Sequence, residues 1–294
     1  MSNNALPPFP SDVPTAPLLR LSLSKLQSHD VAETHRLLQA CEDIGFFYLD
    51  LQDTNIGTNL LTLADELFSL GEHLFSLSLD EKQKYDFASL NSYHGYKSQG
   101  AVVVDREGNL DANEFYNVSK NDILNLTPPL PAPFLLHWNR PTLKSFIHTS
   151  HAITTLLLTH LNTHLCLPPS TLPNVHLLPP SPNAEWTYVK PLPGHAIVNL
   201  GDAMVKFTNG RLRSNVHRVA RPPGEQASWT RYSVVYFARA EDEVPLRRLE
   251  GGGIPKEERE EDEDEVVSSR EWVLRRALGR RVDEGTGGTE GGGV

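Results

Sequence analysis

Apolar positions recur along this chain with two periods, and the change comes near residue 183. In the first half the spacing is helical. Val31, Leu37, Leu38, Cys41 and Ile44 share one stripe behind Asp30, which predicts a helix capped by Asp30 and closed by Gly45. Phe46-Phe47-Tyr48-Leu49 then reads as an apolar strand, and Ala16 to Leu21 as a short opening strand. A second helix is expected over Thr58 to Leu77, burying Leu60, Leu61, Ala64, Leu67, Phe68 and Leu70. The longest helix should run from about Arg140 to Leu165, with Leu143, Phe146, Ile147, Ile153, Leu157, Leu161 and Leu165 on its packed face. From Trp186 onward the pattern breaks into short strands: Trp186 to Val189, Ala196 to Leu200, Met204 to Thr208, Asn215 to Val219 and Tyr232 to Ala238. Turn signals at Pro191-Leu192-Pro193-Gly194, Gly201-Asp202, Asn209-Gly210 and Pro222-Pro223-Gly224 separate them. That spacing points to an antiparallel sandwich or barrel.

Composition narrows the class. A chain of 294 residues with 39% hydrophobic content can bury a sizeable core. A net charge of −10 argues against a nucleic-acid groove. No apolar run approaches the about 18 residues of a membrane span, and MSNNALPPFPSDVP lacks a signal pattern. Cys41 and Cys166 make no disulfide framework, so a cytoplasmic protein with reduced thiols is expected, Cys41 serving as core packing. The acidic run Glu257 to Glu265 reads as a solvated linker. Behind it, Ser268-Ser269-Arg270-Glu271 has capping-box spacing for a short helix, Trp272 to Ala277. Arg275, Arg276, Arg280 and Arg281 are expected to pair with the acidic run.

Two features carry candidate chemistry. His217 lies mid-strand in Ser-Asn-Val-His-Arg-Val, on the face of Asn215 and Val219. Arg231 and Ser233 lie two apart on the last strand and point to one face, opposite Tyr232 and Val234. A planar fork of donors beside a hydroxyl suits a carboxylate. His148, His151, His160 and His164 sit on the long helix without a carboxylate at matching spacing and read as polar-face residues.

The run Pro-Gly, Asn-Leu-Gly-Asp, Thr-Asn-Gly, Ser-x-x-His-Arg-Val, Arg-x-Ser between Pro193 and Ser233 resembles the Fe(II)/2-oxoglutarate-dependent dioxygenases, in the branch similar to isopenicillin N synthase. The string Cys-Glu-Asp-Ile-Gly-Phe-Phe-Tyr at Cys41 to Tyr48 resembles their N-terminal domain, and the last helix that of fungal members. The resemblance implies an α+β, mainly β fold: a double-stranded β-helix, or jelly-roll, flanked by helices. It implies His217 as the distal iron ligand and Arg231 with Ser233 as the clamp on the far carboxylate of the cosubstrate 2-oxoglutarate. Tyr93, Tyr96, Phe115 and Phe237 become candidate substrate-pocket residues. The partners implied are O2 and a small organic substrate, to be hydroxylated, desaturated or cyclised, with no nucleic acid and no membrane.

The chain departs from the family in one respect. The other two iron ligands come as His-x-Asp or His-x-Glu on an early barrel strand, and neither occurs here; His137-Trp138-Asn139 and His160-Leu161-Asn162 offer an amide instead. The chain passes from Pro179-Pro180-Ser181-Pro182 directly to Asn183-Ala184-Glu185-Trp186, where family members carry about three more strands. An internal deletion of early barrel strands is therefore expected, leaving unpaired edges. Either the functional gene product contains the segment, or this is an inactive family member or a non-productive isoform, acting at most as a binding protein. The expected layout is a lead-in over 1–15, an N-terminal α/β domain over 16–130, the long helix and its connection over 131–182, and an incomplete jelly-roll over 183–249. A linker over 250–267, a helix over 268–284 and a tail over 285–294 complete it.

Overall fold

The computed structural model describes residues 7–103, 108–167, 186–215, 217–220, 222–256 and 266–278. The expected acidic run Glu257–Glu265, the Gly-rich tail, Arg280, Arg281 and the Pro182–Asn183 junction lie outside them. Along the chain the elements are β1 (Leu19–Ser22), α1 (Leu23–Gln27), α2 (Val31–Asp43), β2 (Phe46–Asp50), α3 (Asn55–Phe75) and α4 (Leu79–Gln83). Next come β3 (Gly95–Lys97), β4 (Phe115–Asn117), α5 (Lys120–Ile123), α6 (Phe134–Trp138), α7 (Arg140–His164), β5 (His195–Asn199), α8 (Ala203–Thr208) and α9 (Ser269–Leu278). They fall into two compact units, one of residues Met1–Glu72 with Pro141–Ser269, the other of His73–Arg140 with Arg270–Val294.

The first unit is built on a three-stranded sheet of order β1-β2-β5. β1 runs parallel to β2 with Leu21 opposite Leu49, and β2 runs antiparallel to β5 with Tyr48 opposite Ile197. β2 is the central strand, and Phe46 to Leu49 are all buried. A strand covered on both faces should be an unbroken apolar run, which Phe-Phe-Tyr-Leu is. The Asp30 side chain accepts a hydrogen bond from the Glu33 amide at 2.8 Å, the cap expected of α2. Leu37, Ala40 and Cys41 are buried on the helix face. Burial pushes the Cys41 thiol up, and the neighbouring Glu42 adds to the shift, consistent with an inert core cysteine.

Two strand expectations are corrected. Met204 to Thr208 belongs to helix α8: Ala203, Met204, Phe207 and Thr208 are buried at helical spacing. Asn209 and Gly210, at φ 48 and 77, close the helix, the Gly210 amide donating to the Val205 carbonyl at 2.9 Å. An Asn-Gly pair serves a hairpin or a helix end equally well, and a short apolar run does not decide between them. Trp186 to Val189 shrinks to one bridge, in which Tyr188 pairs with Thr15. Asn215 to Val219 and Tyr232 to Ala238 join no strand ladder among the described residues, so β5 is the one ladder strand after residue 186 there.

The second unit holds the β3–β4 hairpin, with Tyr96 opposite Tyr116. It encloses charges that no local pattern announces. Lys97, 1% exposed, pairs with Asp111 and donates to the Asn113 carbonyl at 2.8 Å. Lys82 reaches Glu114 at 2.8 Å and the Phe75 carbonyl at 3.0 Å. On α9, Arg275 pairs with Glu271 and Arg276 lies over Trp272.

Candidate active site

The segment that presents His217 is latched to the end of α2. The Arg213 amide donates to the Cys41 carbonyl at 2.8 Å, and the Gly45 amide donates to the Ala40 carbonyl at 2.8 Å. On the other side the Leu200 amide donates to the Gly45 carbonyl at 2.8 Å. Gly45 has φ +75, and a Cβ there would lie 2.0 Å from the Arg213 carbonyl oxygen, so only glycine permits this approach. The Arg211 guanidinium adds an ion pair to Glu42 at 2.9 Å and a hydrogen bond to the Gly253 carbonyl at 2.7 Å. The chain leaving this latch sets the His217 ring edge-on to Phe46, with centroids 5.3 Å apart. Nδ1 of His217 lies 3.2 Å from the Asn215 carbonyl and donates to it. That hydrogen bond fixes the tautomer and leaves Nε2, on an exposed ring, as the free lone pair.

Residues 231–239 alternate strictly in exposure. Arg231, Ser233, Val235, Phe237 and Arg239 face solvent, while Tyr232, Val234, Tyr236 and Ala238 are half-buried. Arg231 and Ser233 thus share one open face, their donors taken by no described acid. No hydrogen bond or ring contact joins them to His217 among the described residues; what His217 touches is Phe46. Phe237 is 59% exposed and carries the Arg239 guanidinium over its ring at 4.7 Å.

The other candidate pocket residues lie in the second unit. Tyr96 is buried, its hydroxyl donating to Glu114 at 2.5 Å with the Lys82 ammonium over its ring at 5.4 Å. Burial, then Glu114, pushes its phenol well up, so this hydroxyl stays protonated. Phe115 is half-buried beneath the Lys97 ammonium, and Tyr93 stacks on His94.

The helix histidines divide. His160 is buried, which corrects its expected place on a polar face: Nε2 donates to the Leu26 carbonyl at 2.9 Å, and the Thr34 hydroxyl lies 3.2 Å from Nδ1. His164 faces His35 with ring centroids 4.8 Å apart. Among the described residues no group of three or more His, Cys, Asp or Glu could hold a metal ion, and no helix is long and apolar enough to cross a membrane.

Two family models match in succession. Residues 16–132 match the non-haem dioxygenase in morphine synthesis N-terminal domain, and residues 123–240 match the 2OG-Fe(II) oxygenase superfamily. A 2-oxoglutarate-dependent dioxygenase of a Dothideomycetidae species, frbH, is 31% identical over 309 aligned positions, covering 88% of this chain and 93% of its own. The chain belongs to the 2OG-Fe(II) oxygenase superfamily. It is similar to a 2-oxoglutarate-dependent dioxygenase of Aspergillus fumigatus at 28% identity over 316 positions, covering 84% and 81% of the two chains. Its fold is that of a full-length Neurospora crassa protein solved in complex with alpha-KG: the TM-score is 0.66 at 15% identity, over 93% of this chain and 99% of that one. The architecture is thus the mixed helix-and-sheet jelly-roll fold of these enzymes, and the class is oxidoreductase. The family uses Fe(II) and 2-oxoglutarate.

This oxygenase fits the two groups unequally. An exposed guanidinium beside an exposed hydroxyl suits a carboxylate. For iron, the described residues offer one nitrogen, Nε2 of His217, where a facial triad needs two histidines and a carboxylate. The described donor set therefore does not make an iron site.

Proposed function

We propose that the gene behind this chain encodes a working Fe(II)/2-oxoglutarate-dependent oxygenase of a small organic substrate, and that this form lacks an internal stretch carrying two of the three iron ligands. The observation that carries the reading is the coexistence of a clamp and one ligand with a ligand gap at a single place. His217 keeps Nε2 free on a fixed ring, and Arg231 and Ser233 present donors for the distal carboxylate of 2-oxoglutarate. The sequence contains no His-x-Asp or His-x-Glu.

The relatives' alignments leave, in total over their length, enough unmatched positions for several strands. With frbH, 309 positions are aligned against about 259 residues of this chain, so about 50 positions have no residue opposite them. The Aspergillus fumigatus relative leaves about 70 such positions. Removal of strands also accounts for Asn215–Val219 and Tyr232–Ala238 standing without ladders among the described residues. In this reading residues 183–249 are an incomplete jelly-roll behind the N-terminal domain of residues 16–130. The reactions within reach of the complete protein are hydroxylation, desaturation and ring formation, with Phe237 as the pocket candidate in the unit that carries His217 and the cytoplasm as the compartment.

The test is to sequence transcripts across the Pro182–Asn183 junction. The expected result is a longer form encoding a His-x-Asp or His-x-Glu strand there. Recovery of the short junction alone, from every transcript, overturns the proposal and leaves a chain that can bind a carboxylate without assembling an iron site.

A further inference from the structure

Two pairs of histidines stand where α2 meets α7, and they differ in what surrounds their nitrogens. In the first pair His160 is buried with a protein oxygen against each ring nitrogen: the Thr34 hydroxyl lies 3.2 Å from Nδ1, and Nε2 donates to the Leu26 carbonyl at 2.9 Å. Its neighbour His29, at 5.2 Å between ring centroids, therefore has no partner with which to share a ligand. One residue beyond Thr34 on α2, and one turn beyond His160 on α7, His35 and His164 bring their rings to a centroid distance of 4.8 Å at 54°. His35 is exposed and His164 half-buried, and among the described residues neither ring makes a hydrogen bond. We infer that His35 and His164 together bind one divalent transition-metal ion of the class of Zn2+, Ni2+ and Cu2+, with water completing its coordination.

The separation of the rings is the one a shared ion needs. An imidazole nitrogen ligates at about 2.0–2.1 Å, which puts the ion about 3.2 Å from the ring centroid; two such rings, at about 90–110° around the ion, have centroids about 4.5–5.2 Å apart. The observed 4.8 Å falls inside that range. One nitrogen of each ring suffices, so a bond at the other is compatible with the site. His164 is the last residue of α7, at the negative end of a helix of 25 residues, which favours a cation. The Glu42 carboxylate also acts on His164, while Arg211, paired with Glu42 at 2.9 Å, acts in the opposite sense, so those two charges offset. Imidazole is a ligand that Zn2+, Ni2+ and Cu2+ all accept. Two protein ligands are fewer than a structural metal takes, in keeping with the absence of any three-residue group among the described residues. The ion therefore exchanges with solution and ties α2 to the end of α7 reversibly. His35 and His164 meet only in the folded chain, so binding adds to stability as the metal concentration passes the dissociation constant.

The experiment is isothermal titration of the tag-free full chain with ZnCl2 and with NiCl2, in a Cys166→Ser background that removes the exposed thiol, comparing the parent with H35Q, H164Q and H148Q. The expected result is one equivalent bound by the parent, weakened about tenfold or more by H35Q and by H164Q, since even the outer partners of metal ligands are worth that much. H148Q, exposed earlier on α7, should leave the affinity unchanged. Electron paramagnetic resonance with Cu2+ reads the same site from the ion: two imidazole nitrogen couplings in the parent and one in H35Q. Urea midpoints without metal check the fold; His35 is exposed on α2, so H35Q should keep the parent's midpoint and its lost affinity reports a lost ligand. No binding below about 1 mM, an affinity indifferent to H35Q, or a loss in H148Q equal to that in H35Q overturns the inference. None of these outcomes bears on the transcript, so this failure and that of the proposed function are separable.

Discussion

The sharpest test of how the site is positioned is Gly45→Ala, set beside Gly210→Ala. Both glycines have positive φ, +75 and +77, so alanine carries the same left-handed cost at each, about 1–2 kcal/mol. They differ in surroundings. At Gly210 the nearest atom to a new Cβ is the Val205 Cγ1 at 3.9 Å, an ordinary contact. At Gly45 it is the Arg213 carbonyl oxygen at 2.0 Å with its carbon at 2.7 Å, and backbone cannot rotate away as a side chain can. Pushing the 211–215 segment off α2 strains the Arg213-to-Cys41 hydrogen bond, adding about 1–3 kcal/mol as an overpacking cost. Gly45→Ala should therefore cost about 2–5 kcal/mol, and Gly210→Ala about 1–2. Urea titrations give the two values, and the imidazole proton shifts of His217 report whether its ring moves relative to Phe46. Equal losses for the two variants, within about 0.5 kcal/mol, with unmoved His217 shifts would refute the claim that Gly45 holds the histidine-bearing segment.

Two further outcomes follow from the same structure. Burial holds the His160 pKa below 6.5, with His29 nearby in the same sense; burial, then His35, His160 and Arg211, depress His164. Each is kept neutral by the fold while the unfolded chain takes a proton below pH 6.5, so stability is fully present above pH 6.5 and falls as the pH drops beneath it. Melting temperatures from about pH 8 to 5 should show that fall, and H160Q/H164Q should flatten it; an unchanged slope in the double variant would place the effect elsewhere. At the clamp, R231Q should weaken 2-oxoglutarate binding in isothermal titration by roughly 10- to 150-fold, the range for one charge-assisted contact of about 1.5–3 kcal/mol. Equal affinity in R231Q would remove Arg231 from the clamp.

What the sequence makes legible is local. The Asp30 cap, the break at Gly45 and the apolar run of β2 each depend on neighbours along the chain and stand as read, while of the α2 stripe Leu37 and Cys41 are buried and Val31, at the helix start, is 70% exposed. His160 defeats that kind of reading, because what buries it is Thr34 and Leu26, more than a hundred positions away. The Lys97–Asp111 pair is similar: a buried lysine is built by the loop that folds over it, and no period marks it in advance. The latch between Arg213 and Cys41 is half visible, since Gly45 is marked as special by its position but not as a point of close approach.

Residues 231–239 show why alternation and pairing have to be kept apart. Alternation is a property of one segment, and it survives here in full, exposed and half-buried residues taking turns from Arg231 to Arg239. A ladder belongs to two segments, and among the described residues the second one is missing at residues 233–238. The row that keeps this alternation is also the row that carries Arg231 and Ser233. On its outward row the apolar pair Val235 and Phe237 lies between Ser233 and Arg239. Alternation is therefore legible from residues 231–239 alone, whereas a ladder depends on segments elsewhere in the chain.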